Sequence, residues 1–147
     1  MQLFKFKFEL ESEPTGVQSL SFGQFEMDLT ILGKIDPPEG ICWKASEGLV
    51  SDGFTVDSDN PREIVVLKSG IYHIQVDGLT NASTDAQFVL LIDDFALRTE
   101  KYRSSFPTTF RVAISLLGQL KIGDPLVFEC LGTAVLESAV MVIRQLN

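Results

Sequence analysis

Apolar residues occupy every second position in two rows within the first 33 residues. The first row comprises Phe4, Phe6, Phe8 and Leu10, and the second comprises Phe25, Met27, Leu29 and Ile31. Charged or polar residues stand between them, which is the pattern of a strand with one buried face. Pro14 and Gly16 follow the first row, and neither residue suits the interior of a strand. Two strands are therefore predicted within residues 1–33.

Two later segments are apolar at every position and offer no polar face. They are FVLLI at 88–92 and VMVI at 140–143. Runs of this length suit strands better than helices, and strands of this composition need cover on both faces. Polar or small residues precede each run, so one loop is predicted at 81–85 and another at 129–138. A further loop, rich in basic residues, is predicted at 95–106.

Turn residues punctuate the chain at short intervals. Asp93-Asp94 and Gly123-Asp124-Pro125 are the sharpest turns, and residues 33–62 hold many Gly and Pro residues around short apolar segments. No stretch of about ten positions shows a helical period, and strand-like segments recur at intervals of roughly 8–12 residues. The sequence thus predicts an all-β fold, a β-sandwich, in one domain that spans residues 1–147.

Acidic residues outnumber basic ones, and the formal net charge is −8. Phosphate surfaces would repel such a protein, so neither nucleic acid nor insertion into a membrane is expected. No apolar run approaches the roughly 18 residues of a membrane span, and charged residues alternate with Phe where a signal peptide would be apolar. An intracellular or virion-borne location is therefore expected.

Residues with catalytic or metal-binding potential are few. The chain has one histidine, His73, and lacks both a G-x-S-x-G elbow and the glycine-rich phosphate loops, so an enzyme is not expected. A metal site built on several imidazoles is excluded, and no cofactor is predicted. The pair Asp93-Asp94 is interpreted first as a solvated turn and second as a calcium site. Cys42 and Cys130 are interpreted as buried thiols outside any disulfide.

Short motifs follow one another in a definite order along residues 54–147. Gly70 and Tyr72 form a G-x-Y strand, GDPLV at 123–127 forms the turn and start of a hairpin, and Ser138 opens a final strand. In this order they resemble the C1q/TNF-like jelly-roll family.

The resemblance implies a jelly-roll β-sandwich that assembles as a homotrimer, because members of that family form tight threefold bundles. Two features depart from the family pattern. Asp93-Asp94 stands where the family has Asn-Gly, and residues 140–143 replace the aromatic and glycine core of its last strand. Residues 1–33 also add strands that the minimal module of the family lacks.

Strands that are apolar on both faces would gain their second cover from the neighbouring subunits of a trimer. The residues predicted at that interface are Tyr72, Phe88, Leu90, Ile92, Met141 and Ile143. The candidate ligand contact comprises Arg98, Lys101 and Arg103. These basic residues are interpreted first as a solvated loop and second as a contact to an acidic ligand.

Two functions fit these expectations. The first is a non-enzymatic trimeric structural or adhesion module, for instance in a phage virion or a bacterial surface fibre. Residues 1–33 would then extend the sandwich or attach it by strand addition to a neighbouring subunit. The second is a soluble lectin-like or cytokine-like sandwich that binds a protein or glycan receptor. A positive glycan array would favour the second, and neighbouring genes for capsid, tail or fibre proteins would favour the first.

Overall fold

The computed structural model describes residues 20–28, 41–103 and 108–147, and every regular element in these ranges is a β-strand. The all-β prediction is confirmed for them. The first predicted strand, at 4–10, lies outside the described residues. The second is present from Phe22 to Met27, while its predicted residues 29–31 lie outside.

Eight strands make up the described part of the chain. They are β1 Phe22–Met27, β2 Trp43–Val50, β3 Phe54–Val56, β4 Ile64–Val66, β5 Gly70–Ile92, β6 Phe95–Arg103, β7 Thr108–Leu120 and β8 Pro125–Gln145. Two of them, β5 and β8, are far longer than the others.

Strands β5 and β8 run antiparallel, side by side, for almost their whole length. Their pairing extends from Ile92↔Leu126 to Tyr72↔Gln145, with register shifts at 132–134 and 136–138. The first half of β5 also pairs with β7, and its second half pairs with β6. The two strands therefore form a long ribbon that passes from one sheet into another.

The ribbon divides the pairing network into two antiparallel sheets. Sheet 1 has the strand order β2-β1-β8-β5-β7, and sheet 2 has the order β3-β4-β8-β5-β6. The hydrogen-bonded network is continuous because β5 and β8 contribute one half to each sheet. The inner faces of the sheets pack against each other, and the result is a β-sandwich.

Aromatic side chains join the two sheets across the core. Tyr72 of sheet 1 meets Phe54 of sheet 2 with ring centroids 5.4 Å apart, and Trp43 of sheet 1 lies 6.4 Å from Phe128 of sheet 2. Ring pairs of this kind contribute about 0.5–1.5 kcal/mol each beyond the burial of their apolar area. These contacts fix how the two sheets face each other.

Three segments predicted as loops are strands. Residues 81–85 belong to β5, residues 129–138 to β8, and residues 95–103 to β6. Each runs beside a paired neighbour, and the main-chain hydrogen bonds to that neighbour outweigh the weak strand preference of polar and small side chains. Residues 104–107, the end of the predicted basic loop, lie outside the described residues.

The two sharpest predicted turns are confirmed. Asp93 and Asp94 have φ angles of 47° and 64°, the left-handed conformation that a two-residue turn between antiparallel strands requires. Gly123 has a φ angle of 93°, which a residue with a side chain adopts only with strain. Beside it, the Asp124 carboxylate accepts a hydrogen bond of 2.8 Å from the backbone N–H of Lys121.

Candidate interaction surface

Most of the residues predicted at a subunit interface lie inside a single chain. The five with no exposed surface are Tyr72, Phe88, Leu90, Met141 and Ile143. They alternate inward along β5 and β8 and pack against the opposite sheet, so they have no surface to offer to a second chain. The residue assignment of the interface is corrected for these five. Ile92, the sixth, is half-buried and packs against the same core.

The side chains that alternate with the buried set form the outer face of sheet 1. Its apolar members include Phe22 on β1, Ile71 on β5 and Leu117 on β7, which are 44%, 40% and 65% exposed. Val140 and Val142 on β8 lie between them and are half-buried. Each central strand of this face therefore carries at least one apolar side chain, although Arg144 and His73 stand directly between Phe22 and Leu117 in the strand register.

Polar side chains stand among the apolar ones on the outer face of sheet 1. His73 Nε2 and Ser115 Oγ share a hydrogen bond of 2.7 Å, and Gln75 Nε2 donates to Asp77 Oδ2 at 3.0 Å. In a serine hydrolase the carboxylate bonds the histidine and orients it. Here the Asp77 carboxylate is bonded to Gln75 instead, so the arrangement differs from a catalytic triad and suits a polar contact.

Two surface depressions flank Val140 at the far side of this outer face. One has a volume of about 310 Å³ and is lined by Asp77, Leu79 and Arg111. The other has a volume of about 250 Å³ and is lined by Gln24 and Glu26 among others. Both adjoin the register shift at 136–138, where the strands pair irregularly. These depressions interrupt a sheet face that is otherwise regular.

The three basic residues predicted as a ligand contact are divided between the two faces of β6. Arg98 pairs with Leu90, whereas Lys101 pairs with Gln87, and successive side chains of a strand point in opposite directions. Arg98 Nε lies 2.8 Å from Glu100 Oε2, and its Nη1 donates to the backbone carbonyl of Ser115 on β7 at 3.5 Å. Arg98 thus contacts the edge of sheet 1.

Lys101 and Arg103 lie on the other face of β6, which is the outer face of sheet 2. Both are exposed. The structure therefore brings Lys101 and Arg103 together as a candidate ligand contact and separates Arg98 from them.

Metal-binding and thiol chemistry find little support in the described ranges. No group of three or more His, Cys, Asp or Glu side chains lies close enough there to hold a metal ion. Cys42 and Cys130 are buried and form no disulfide, which confirms that prediction. Burial raises the pKa of the Cys130 thiol to about 11, so at neutral pH it stays protonated and unreactive.

Sequence reasoning missed the outward apolar set because residues 140–143 are apolar on both faces. A period of two shows that neighbouring side chains point to opposite sides, but polarity shows which side is buried only when the two faces differ. In 70–77 the two faces do differ in polarity. One face is apolar and the other is mostly polar, with Tyr72, Ile74 and Val76 on the first and Ile71, His73, Gln75 and Asp77 on the second. Pairing 140–143 with that strand would have identified Met141 and Ile143 as the inward set.

Comparison of the sequence with models of known protein families and with curated proteins found no match. Across the residues that the structure describes, no helix has the length and apolarity needed to cross a membrane. The case for a function therefore rests on the outer face of sheet 1 and on the strand order.

Proposed function

We propose that the protein is a non-enzymatic, homotrimeric structural or adhesion module whose subunits meet through the outer face of sheet 1. The observation that carries the proposal is the set of large apolar side chains on the central strands of that face, among them Phe22, Ile71 and Leu117. Central strands of a sandwich that faces water on its outside normally present polar side chains there. Exposed apolar side chains gathered on one sheet face, with polar side chains among them, are typical of an interface.

The proposal includes a jelly roll of the C1q/TNF type. The ribbon of β5 and β8 contributes to both sheets, and the remaining strands add on either side of it in each. Jelly rolls are double-sheet sandwiches of eight strands in which the chain crosses repeatedly between the sheets. The observed strand order supports that assignment, and the half-buried Val140 and Val142 would then face the axis of the trimer.

Light scattering tests the assembly. The proposal requires a mass three times the 16.3 kDa of the chain at micromolar concentration. Val142→Lys places a charge on the outer face, where an interface would leave it buried and unpaired, so this variant should be a folded monomer. Met141→Lys is the matched control, because it places the same charge in the core of one chain and should unfold the protein.

A monomer mass for the unaltered chain would overturn the trimer. A trimer that persists in Val142→Lys would instead place the interface elsewhere on the molecule. The two results are distinguishable because the first concerns the unaltered chain and the second only the variant.

The proposal assigns the trimer to a particle or fibre, for instance a phage virion or a bacterial surface fibre, as an assembly unit or a receptor-binding head. The net charge of −8 disfavours phosphate surfaces as partners. Lys101 and Arg103 on sheet 2 face away from the proposed axis, where a protein or glycan receptor would reach them. A glycan array compares the unaltered chain with Lys101→Ser. Binding by the unaltered chain that the variant loses, with assembly unchanged, would support the receptor role. Equal binding by the unaltered chain and the variant would contradict it.

A further inference from the structure

His73 lies on the outer face of sheet 1, in a row of side chains that crosses four strands. Arg144 on β8 is directly opposite it on one side, and Leu117 on β7 is directly opposite it on the other. Phe22 on β1 lies beyond Arg144 and completes the row. Side chains directly opposite each other in a sheet share a face, with their Cβ atoms about 5 Å apart. The imidazole and the guanidinium are therefore neighbours between two exposed apolar side chains.

The two basic side chains of this row differ in how far they can move. His73 is half-buried, and its Nε2 shares a hydrogen bond of 2.7 Å with Ser115 Oγ, which holds the ring in place. Arg144 is exposed, and such a long side chain can keep its charged group in water while its stem covers apolar surface. The guanidinium can therefore stay solvated at the rim of an interface, whereas the imidazole is held within it.

No carboxylate faces His73 from the described strands that surround it. The two rows that adjoin its own row are apolar or uncharged. They consist of Gln24, Val142, Gln75 and Ser115 on one side, and of Leu146, Ile71 and Gln119 on the other. A positive charge on the imidazole would thus find no counter-charge beside it in its own subunit.

Other charged groups on this side of the molecule lie in more distant rows or on β6. They are Asp77 on β5, which accepts a hydrogen bond from Gln75, Glu26 on β1 beside Lys44, Arg111 on β7, and Arg98 on β6 beside Glu100. The three carboxylates already have partners within the chain. Arg98 donates to the carbonyl of Ser115 at 3.5 Å, so the group that reaches closest to the His73 bond from β6 is basic as well.

Protonation of His73 would change the charge of this face. Histidine is the side chain whose charge ordinarily changes between about pH 5 and pH 8. Like charges directly opposite each other on neighbouring strands are destabilising, and a charge buried in an interface also loses its hydration. Threefold symmetry repeats the His73 and Arg144 pair in every subunit, so the cost would be incurred three times.

We propose that His73 makes assembly through the outer face of sheet 1 sensitive to pH, so that trimers stable at neutral pH dissociate when His73 is protonated. This inference rests on the proposed function, because it concerns the regulation of the same surface. The assembled state disfavours the added proton more than the separate subunit does, and it therefore binds fewer protons. Lowering the pH favours the separate subunits, and raising it again restores the trimer.

Light scattering over a range of protein concentrations, at about pH 7.5 and about pH 5.5, tests the proposal. The unaltered chain is compared with His73→Gln and with Arg144→Gln. His73 is the one histidine of the chain, so His73→Gln removes the imidazole charge completely and keeps a polar side chain beside Ser115. Circular dichroism at each pH checks that all three proteins are folded.

Acidification should raise the concentration at which half of the unaltered chain is dissociated. The expected rise is about fivefold or more, the lower end of the usual range for coupling between two ligands of one protein. In His73→Gln the concentration should not change. In Arg144→Gln the rise should be smaller, because the protonated imidazole then lacks its like-charged neighbour.

Equal dissociation of the unaltered chain at both pH values would overturn the pH switch and leave the proposed trimer intact. A rise of the same size in His73→Gln would also overturn it, since other groups would then be the cause. Tighter assembly at the lower pH, or dissociation together with loss of the fold, would contradict it too. A chain that is monomeric at both pH values would contradict the trimer itself, and the switch with it, so the two failures are distinguishable.

Discussion

The Tyr72 ring on sheet 1 packs against the Phe54 ring on sheet 2 at an interplanar angle of 67°. The Tyr72 hydroxyl also donates a hydrogen bond of 2.6 Å to the carbonyl of Lys68. The side chain therefore joins the two sheets and fixes the turn that precedes β5, and none of its surface is exposed. Its contribution is to the stability of a single chain.

Substitutions at Tyr72 should lower the free energy of unfolding in two steps. Tyr72→Phe removes the hydrogen bond to Lys68 and should cost about 1 kcal/mol. Tyr72→Ala also leaves a cavity between the sheets and should cost about 3–5 kcal/mol. Urea denaturation at several protein concentrations measures both. A loss that depended on protein concentration would return Tyr72 to a subunit interface.

The turn before β8 should depend on the acceptor atoms of Asp124. Asp124→Ala removes the bond from the Lys121 N–H and should lower the free energy of unfolding by about 1 kcal/mol. Asp124→Asn keeps an acceptor oxygen and should recover most of the loss. Thermal and urea denaturation check the order of the three proteins, and an unchanged midpoint for Asp124→Ala would show that the hydrogen bond contributes nothing.

Stability should fall as the pH rises above 9. Burial raises the pKa of the Cys130 thiol from 9.0 to about 11, so between these values the unfolded chain has lost a proton that the folded chain keeps. The folded state then binds more protons than the unfolded one, and the free energy of unfolding decreases with pH. Below pH 9 both states are protonated and the effect is absent.

Cys130→Ala should make that decrease less steep. The remaining slope comes from other groups, including Tyr72 and Tyr102, because burial raises the pKa of both hydroxyls as well. Urea midpoints of the two proteins between pH 8 and about pH 11 provide the comparison. Parallel curves would show that the Cys130 thiol is solvated in the folded state.

Arg98 and Lys101 should behave differently when each is replaced by Ala. Arg98→Ala removes contacts to Glu100 and to β7 and should lower the free energy of unfolding by up to about 1 kcal/mol, the usual limit for an exposed ion pair. Lys101→Ala should leave stability unchanged. Denaturation curves distinguish the two, and equal stability of both variants would mean that Arg98 does not hold the edges of the sheets together.

The local sequence was sufficient to predict the structure wherever the conformation of a residue depends on its neighbours along the chain. The turn at Asp93-Asp94 and the turn at Gly123-Asp124 follow from residues that tolerate a left-handed backbone or bond their own main chain. The all-β class and the strand at 70–77 follow from a period of two. These features need no distant partner.

Continuity and orientation of the long strands were decided by the tertiary structure. Residues 81–85 and 129–138 are too polar or too small to predict a strand, yet β5 and β8 pair on both sides of the register shifts in these segments, because the main chain of each strand offers hydrogen-bonding groups to the other. In 140–143 the two faces are equally apolar, so only packing against sheet 2 selects Met141 and Ile143 as the buried pair. Arg98 and Lys101 lie on opposite faces of β6, and this too was decided by the tertiary structure, because the pairing with β5 determines which face of β6 is the inner one.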